Sequence, residues 1–122
     1  MNFTGMQAEA KRTKAEGDFR VLQTAIEAYH KDKGVYPPVS VPSKSYQDWL
    51  LESSPKILGS KVYDPFAGRN TEYKYYLSQD GQFYLISSLG PDITNGIAVN
   101  GNALSVNGDD LYVSNGWRTN AQ

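Results

Sequence analysis

The feature that most constrains this fold is an amphipathic helical pattern from about Gln7 to Lys33, stopped by Gly34-Val35-Tyr36-Pro37-Pro38. Phe19, Leu22, Ile26 and Tyr29 stand 3, 4 and 3 residues apart. That spacing stacks them along one stripe of a helix. Upstream, the same phase carries Ala8, Arg12 and Ala15, too small or too polar to dock on a core. The pattern predicts a helix whose rear half packs on a domain and whose front half points away from it. Gly34 suits the C′ position, and Lys31 and Lys33 complement the negative end of the helix dipole. The two prolines forbid continuation. Thr4 and Gln7 have the spacing of a capping box. Gly17 sits in the helix interior, where glycine costs about 1 kcal/mol relative to alanine, and marks a bend or a close contact.

Beyond the helix, residues 39–44 read as a loop containing Pro42. Ser45 with Asp48 at the third helical position opens a short helix through Trp49, Leu50 and Leu51. Residues 56–71 are irregular, anchored by Ile57, Leu58, Val62 and Tyr63, and Asp64-Pro65-Phe66-Ala67-Gly68 is a turn. Two alternating runs follow. Glu72–Leu77 puts Tyr73, Tyr75 and Leu77 on one face and Lys74 and Tyr76 on the other; Gln82–Ser87 opposes Phe83 and Leu85 to Tyr84 and Ile86. Asp80-Gly81 in the connection marks a hairpin. A hairpin alone is marginal, so the long helix is expected to cover one face. After Gly90 the chain becomes a polar loop rich in Asn and Gly. Leu111-Tyr112-Val113 is a short third strand, and the tail from Ser114 is weakly ordered unless Trp117 pins it.

The expected fold class is therefore α+β, one domain over residues 1–122. It divides into a projecting helix (1–34), a connecting region (35–71), and an antiparallel sheet with a C-terminal polar loop (72–122). Composition narrows the function. Twelve Lys and Arg against 13 Asp and Glu leave a net charge of −1, so there is no electrostatic footprint for nucleic acid. The basic residues of the helix interleave with Glu9, Glu16 and Asp18, as on a solvated or partner-facing surface. The absence of cysteine removes disulfides, Cys-zinc sites and thiol catalysis. No apolar run reaches the ~18 residues of a membrane span. His30, the single histidine, reads as a surface residue at a helix C-terminus. No nucleophile elbow accompanies it and no phosphate-binding glycine loop is present.

Four ordered pieces resemble the type IV pilin-like proteins, more closely the major pseudopilins of type II secretion systems. The charged helix ending in Gly34-Val35-Tyr36-Pro37 resembles that family's helix followed by Gly-x-Tyr-Pro. Asp64-Pro65-Phe66 resembles its Asp-Pro-Trp/Phe before the sheet. Tyr73–Tyr76 with Phe83–Ser87 resembles its aromatic hairpin, and Ser88-Leu89-Gly90-Pro91-Asp92 resembles its Ser-Leu-Gly-x-Asp. Asn2-Phe3 is similar to the Pro-Asn-Phe that follows the membrane segment of many prepilins.

The resemblance implies a non-enzymatic structural subunit of a periplasmic pseudopilus that takes part in protein secretion. It implies homo-oligomers in a helical filament, contacts with other pseudopilins and the secretion machinery, and an inner-membrane anchor supplied by an apolar segment ahead of Met1. Filament subunits make repeating heterologous contacts, and Lys11, Lys14, Asp18 and Arg20 are the expected interface charges. Alternatives are a type IV pilin or minor pilin, forming a cell-surface filament for adhesion, motility or DNA uptake, and a calcium-dependent ligand-binding module. The resemblance also implies calcium after the Ser-Leu-Gly turn, held by the Leu89 carbonyl and Asp92, with Asp109 or Asp110 as a second acid. The segment from Ile93 to Gly108 contains no acid, so a metal-free Gly-Asn loop stands as the other reading.

Overall fold

The computed structural model describes residues 3–39, 42–53, 56–90, 96–106 and 111–118. One long helix, α1 (Phe3–Lys33), precedes a short α2 (Tyr46–Glu52) and five strands. These are β1 (Lys74–Leu77), β2 (Tyr84–Ser88), β3 (Ile97–Asn100), β4 (Ala103–Val106) and β5 (Leu111–Ser114). β1, β2 and β5 form an antiparallel sheet with β2 in the middle; β3 and β4 form a separate antiparallel hairpin. The class is α+β, a long N-terminal helix packed on small antiparallel sheets.

The helix stripe docks as its spacing requires. Phe19, Leu22, Ile26 and Tyr29 are all buried, in a core shared with Tyr46 and Leu50 of α2 and Tyr73, Tyr84 and Ile86 of the sheet region. The docked length is greater than the pattern predicts, because Ala15 is also fully buried. Ala15 therefore faces its own domain. A small side chain there is what lets the chain come close: at the same level Lys14 reaches the Tyr63 carbonyl and Asp18 meets the Tyr73 hydroxyl. The helix runs from Phe3, so Thr4 occupies a helical position and not the cap. It ends at Gly34, whose φ of 81° lets its amide reach back to the His30 carbonyl at 2.8 Å. A Cβ placed at Gly17 would meet nothing within 4 Å.

α2 starts as its capping box dictates. The Ser45 side chain accepts from the Asp48 amide, and the Asp48 carboxylate accepts from the Ser45 amide. The connecting region is irregular but anchored. Leu58 is buried, and Gln47 pins Val62 with two bonds, one to its carbonyl and one from its amide.

The alternation in the sheet assigns its two faces. Tyr75 and Leu77 of β1, Tyr84 and Ile86 of β2, and Leu111 and Val113 of β5 turn toward the helix core. Tyr76, Phe83 and Leu85 turn the other way and join a second core with Ile97, Leu104 and Trp117. β1 and β2 are shorter at their starts than the expected runs, and Glu72 instead forms an isolated bridge with Tyr63.

The larger correction concerns the expected polar loop. Within it, β3 and β4 form a hairpin whose Ile97 and Leu104 supply that second core. Its turn is locked to the β1–β2 turn: the Gln79 amide donates to the Gly101 carbonyl and the Asp80 amide to Asn102 Oδ1. The chain after Ser114 is held rather than loose through Arg118. Trp117 is buried and its indole N–H donates to the Asn102 carbonyl at 2.9 Å. Asn115 clamps the same region, accepting from the Tyr84 amide and donating to the Tyr36 hydroxyl.

Candidate functional site

Two of the motifs quoted above meet in space at Asp64. This carboxylate is 2% exposed. Its Oδ1 accepts from the Phe66 amide at 3.0 Å and from the Ser88 hydroxyl at 2.7 Å. Its Oδ2 accepts from the Leu89 amide at 2.9 Å. The first of these bonds is an Asx turn, which is why Asp precedes Pro65 here. The other two tie the turn to the end of β2. Ser88 relays the contact, since its Oγ accepts in turn from the Gly90 amide at 3.2 Å. Gly90 adopts a φ of 75°, the left-handed region that glycine enters without steric cost. The Asp64 latch thus fixes the Ser88-Leu89-Gly90 turn against the connecting region.

Of the expected calcium ligands, Leu89 lies on this latched turn, half-buried. Asp92, Asp109 and Asp110 lie outside the described residues. Among the described residues, no group of three His, Cys, Asp or Glu is placed to hold a metal ion. Asp64 itself accepts three hydrogen bonds from the two turns it joins, which commits it to holding them together.

The charged residues of α1 separate into two kinds. Lys14 Nζ pairs with Asp18 Oδ2 at 2.6 Å, and the same oxygen accepts from the Tyr73 hydroxyl at 2.6 Å. Burial, reinforced by the adjacent Asp18 carboxylate, pushes the Tyr73 hydroxyl well above the ordinary tyrosine range. Lys11 lies 5.7 Å from the Phe66 ring centroid. Lys11 and Lys14 thus contact the connecting region at Phe66 and Tyr63, and Asp18 bonds Tyr73 just ahead of β1, all within one chain. Arg20 differs: it is exposed and forms no ion pair among the described residues.

Arg20 stands between two clefts that flank α1. One, about 470 Å³, separates it from β5 at Leu111, Tyr112 and Val113. The other, about 370 Å³, runs along Val21, Thr24 and Ala28 to Ile57. Val21 is 50% exposed and Tyr112 is 41% exposed. Among the described residues, none covers this flank of α1, and Arg20, Val21, Thr24 and Ala28 are exposed. Sequence reasoning saw the charges of α1 but not Val21 or Ala28, whose apolar character off the docked stripe was the available signal.

His30 is not a bare surface residue. Its ring stacks on Tyr36 with centroids 4.2 Å apart at 27°. Among the described residues no helix is long and apolar enough to cross a membrane. The chain matches no protein-family model, no curated protein and no solved structure.

Proposed function

We propose that this chain is a structural subunit of a helical filament of the type IV pilin class, serving as a pseudopilin in protein secretion. It works by assembly and not by catalysis, from a periplasmic position with an inner-membrane anchor. The observation that carries the reading is the division of α1. Its stripe from Ala15 to Tyr29 is buried on its own domain, while the flank of Arg20, Val21, Thr24 and Ala28 is uncovered. At 31 residues the helix spans about 46 Å, long enough to meet successive neighbours in a stack. The meeting of Asp64-Pro65-Phe66 with Ser88-Leu89-Gly90 supports the same reading, because two separately resembling motifs serve one structural purpose. Within it, Leu89 with Asp92, Asp109 and Asp110 would hold calcium, and a melting temperature indifferent to calcium and to chelator counts against that site.

The test is to express the chain behind an apolar N-terminal helix and prepilin leader in cells carrying secretion machinery, and to image filaments. Arg20→Glu and Val21→Asp are expected to abolish filaments while leaving the Tm of the soluble chain unchanged. Asp18 is unsuitable as an assembly probe, since its reversal would break the bond from Tyr73. Filaments that persist in both variants would sink the assignment of this flank to assembly.

A further inference from the structure

We propose that the cleft between the end of α1 and the β1–β2 turn binds an organic cation, an alkylammonium or guanidinium group. The cleft measures about 750 Å³. Tyr29, His30 and Tyr36 line it from the end of α1 and the turn that follows; Trp49 lines it from α2. Asp80 and Gln82 close the opposite side. Aromatic faces attract cations through their quadrupoles. This chain already shows the effect next door, where Lys44 Nζ sits 3.7 Å from the centroid of the Trp49 ring.

Two sources of negative potential converge on the same space. Asp80 Oδ1 accepts from the Ser78 hydroxyl at 2.7 Å and from the Gln82 amide at 3.1 Å. Those donors hold the carboxyl below its ordinary range, so it is charged at neutral pH. Both of these donors fall on Oδ1, which leaves Oδ2 without a bond from either. The second source is the C-terminus of α1, which carries the negative end of the helix dipole.

Lys44 covers the Trp49 ring from the adjoining cleft, and Lys31 and Lys33 meet the end of the helix, but Asp80 forms no ion pair among the described residues. No Lys or Arg lines the cleft. Each of four smaller clefts carries at least one: Lys44 and Lys74, Arg20, Arg20 again, and Lys33 with Lys44. Of these five clefts, the one beside Asp80 is the largest and has no Lys or Arg in its lining. The ligand chemistry fits a free small amine or a Lys or Arg side chain of a partner protein. Binding at this cleft is independent of filament assembly.

The experiment is an amide-resolved NMR titration of the full chain with choline and with N-acetylarginine amide. 3,3-Dimethylbutanol serves as the neutral isostere of choline. Both cations are expected to shift the Gly34 and Gly81 amides, which line the cleft. The neutral isostere should bind about 5-fold more weakly, the equivalent of about 1 kcal/mol of cation–π attraction. Asp80→Asn and Gln82→Lys should each weaken cation binding by about 5-fold or more without changing the spectrum of the core. A short arginine peptide that binds tighter than the free amino acid derivative assigns the source to a partner protein; equal affinity assigns it to a small molecule. Equal binding of the neutral isostere, indifference to Asp80→Asn, or no shift at Gly34 and Gly81 overturns the proposal.

Discussion

Asp64 shows how one side chain can hold together two parts of a chain that lie 24 residues apart. A buried carboxylate is tolerable only if its oxygens accept strong hydrogen bonds, and here three donors converge on it. Removing it strands those donors in a largely buried site. Asp64→Ala is therefore expected to cost about 3–5 kcal/mol, and Asp64→Asn less, since the amide keeps one accepting oxygen. Urea denaturation of the two variants checks both the size and the order. A loss below about 1 kcal/mol in the alanine variant would mean that the latch is replaceable by solvent. Residues 64–68 were legible as a turn, because Asp-Pro followed by Gly is local chemistry. The latch to Ser88 was not legible, because sequence order says nothing about which distant turn a carboxylate will meet.

At the scale of the element, α1 contains an unexploited weakness. Gly17 is helical, and a Cβ there would meet nothing within 4 Å. Its cost is backbone entropy with no packing return inside the chain. Gly17→Ala is expected to raise stability by about 0.5–1 kcal/mol, seen as a higher Tm by circular dichroism. If filaments are lost while Tm rises, the glycine serves close approach of a neighbour; if both are kept, it serves neither. The helix as a whole was well marked in the sequence, because apolar spacing and a Gly-Pro stop are strong local signals. The extent of its docking was not, since Ala15 is buried through the path of the 63–73 segment and not through its own hydrophobicity. The β3–β4 hairpin was missed for a related reason. Asn and Gly dominate its turn and flanks, and only Ile97, Val99, Leu104 and Val106 alternate inward, a signal too short to stand out from a loop. Its role becomes visible only once Tyr76, Phe83 and Leu85 need a cover. The fold class and the two sheet faces were thus readable, whereas the candidate site depended on contacts across the chain.

Across the whole molecule, tyrosine enlarges the modest aliphatic core of a chain with 39% hydrophobic residues. Tyr46 stacks on Tyr75 at 4.6 Å, and Tyr36 packs against Tyr84 at 5.0 Å. Their hydroxyls then join separate elements: Tyr46 donates to the Tyr73 carbonyl, Tyr75 to the Pro37 carbonyl, and Tyr73 to Asp18 on α1. This construction makes stability depend on the hydroxyls staying protonated. Burial raises Tyr46, Tyr73, Tyr75 and Tyr84 above the ordinary value of 10.0. A group whose folded value is raised contributes stability that is complete below its unfolded value and is lost as pH climbs past it. Above pH 10 the unfolded chain releases these protons while the folded chain keeps them. Four such groups predict a fall of about 3–5 kcal/mol per pH unit, enough to unfold a marginally stable domain within two units. Lys61 acts in the same direction at the alkaline end, because its bonds to Glu72 and Asp48 raise it. The acid limb is gentler. The Ser45 amide and Lys61 hold Asp48 below its ordinary range, so its contribution is lost only as pH falls below about 4. The measurement is paired: tyrosinate absorbance near 295 nm and helicity at 222 nm against pH. The two are expected to move together for the buried tyrosines, in one cooperative step above pH 10. Ionisation of all nine tyrosines near pH 10 with helicity intact would show that these hydroxyls are solvated and that the elements are held by packing alone.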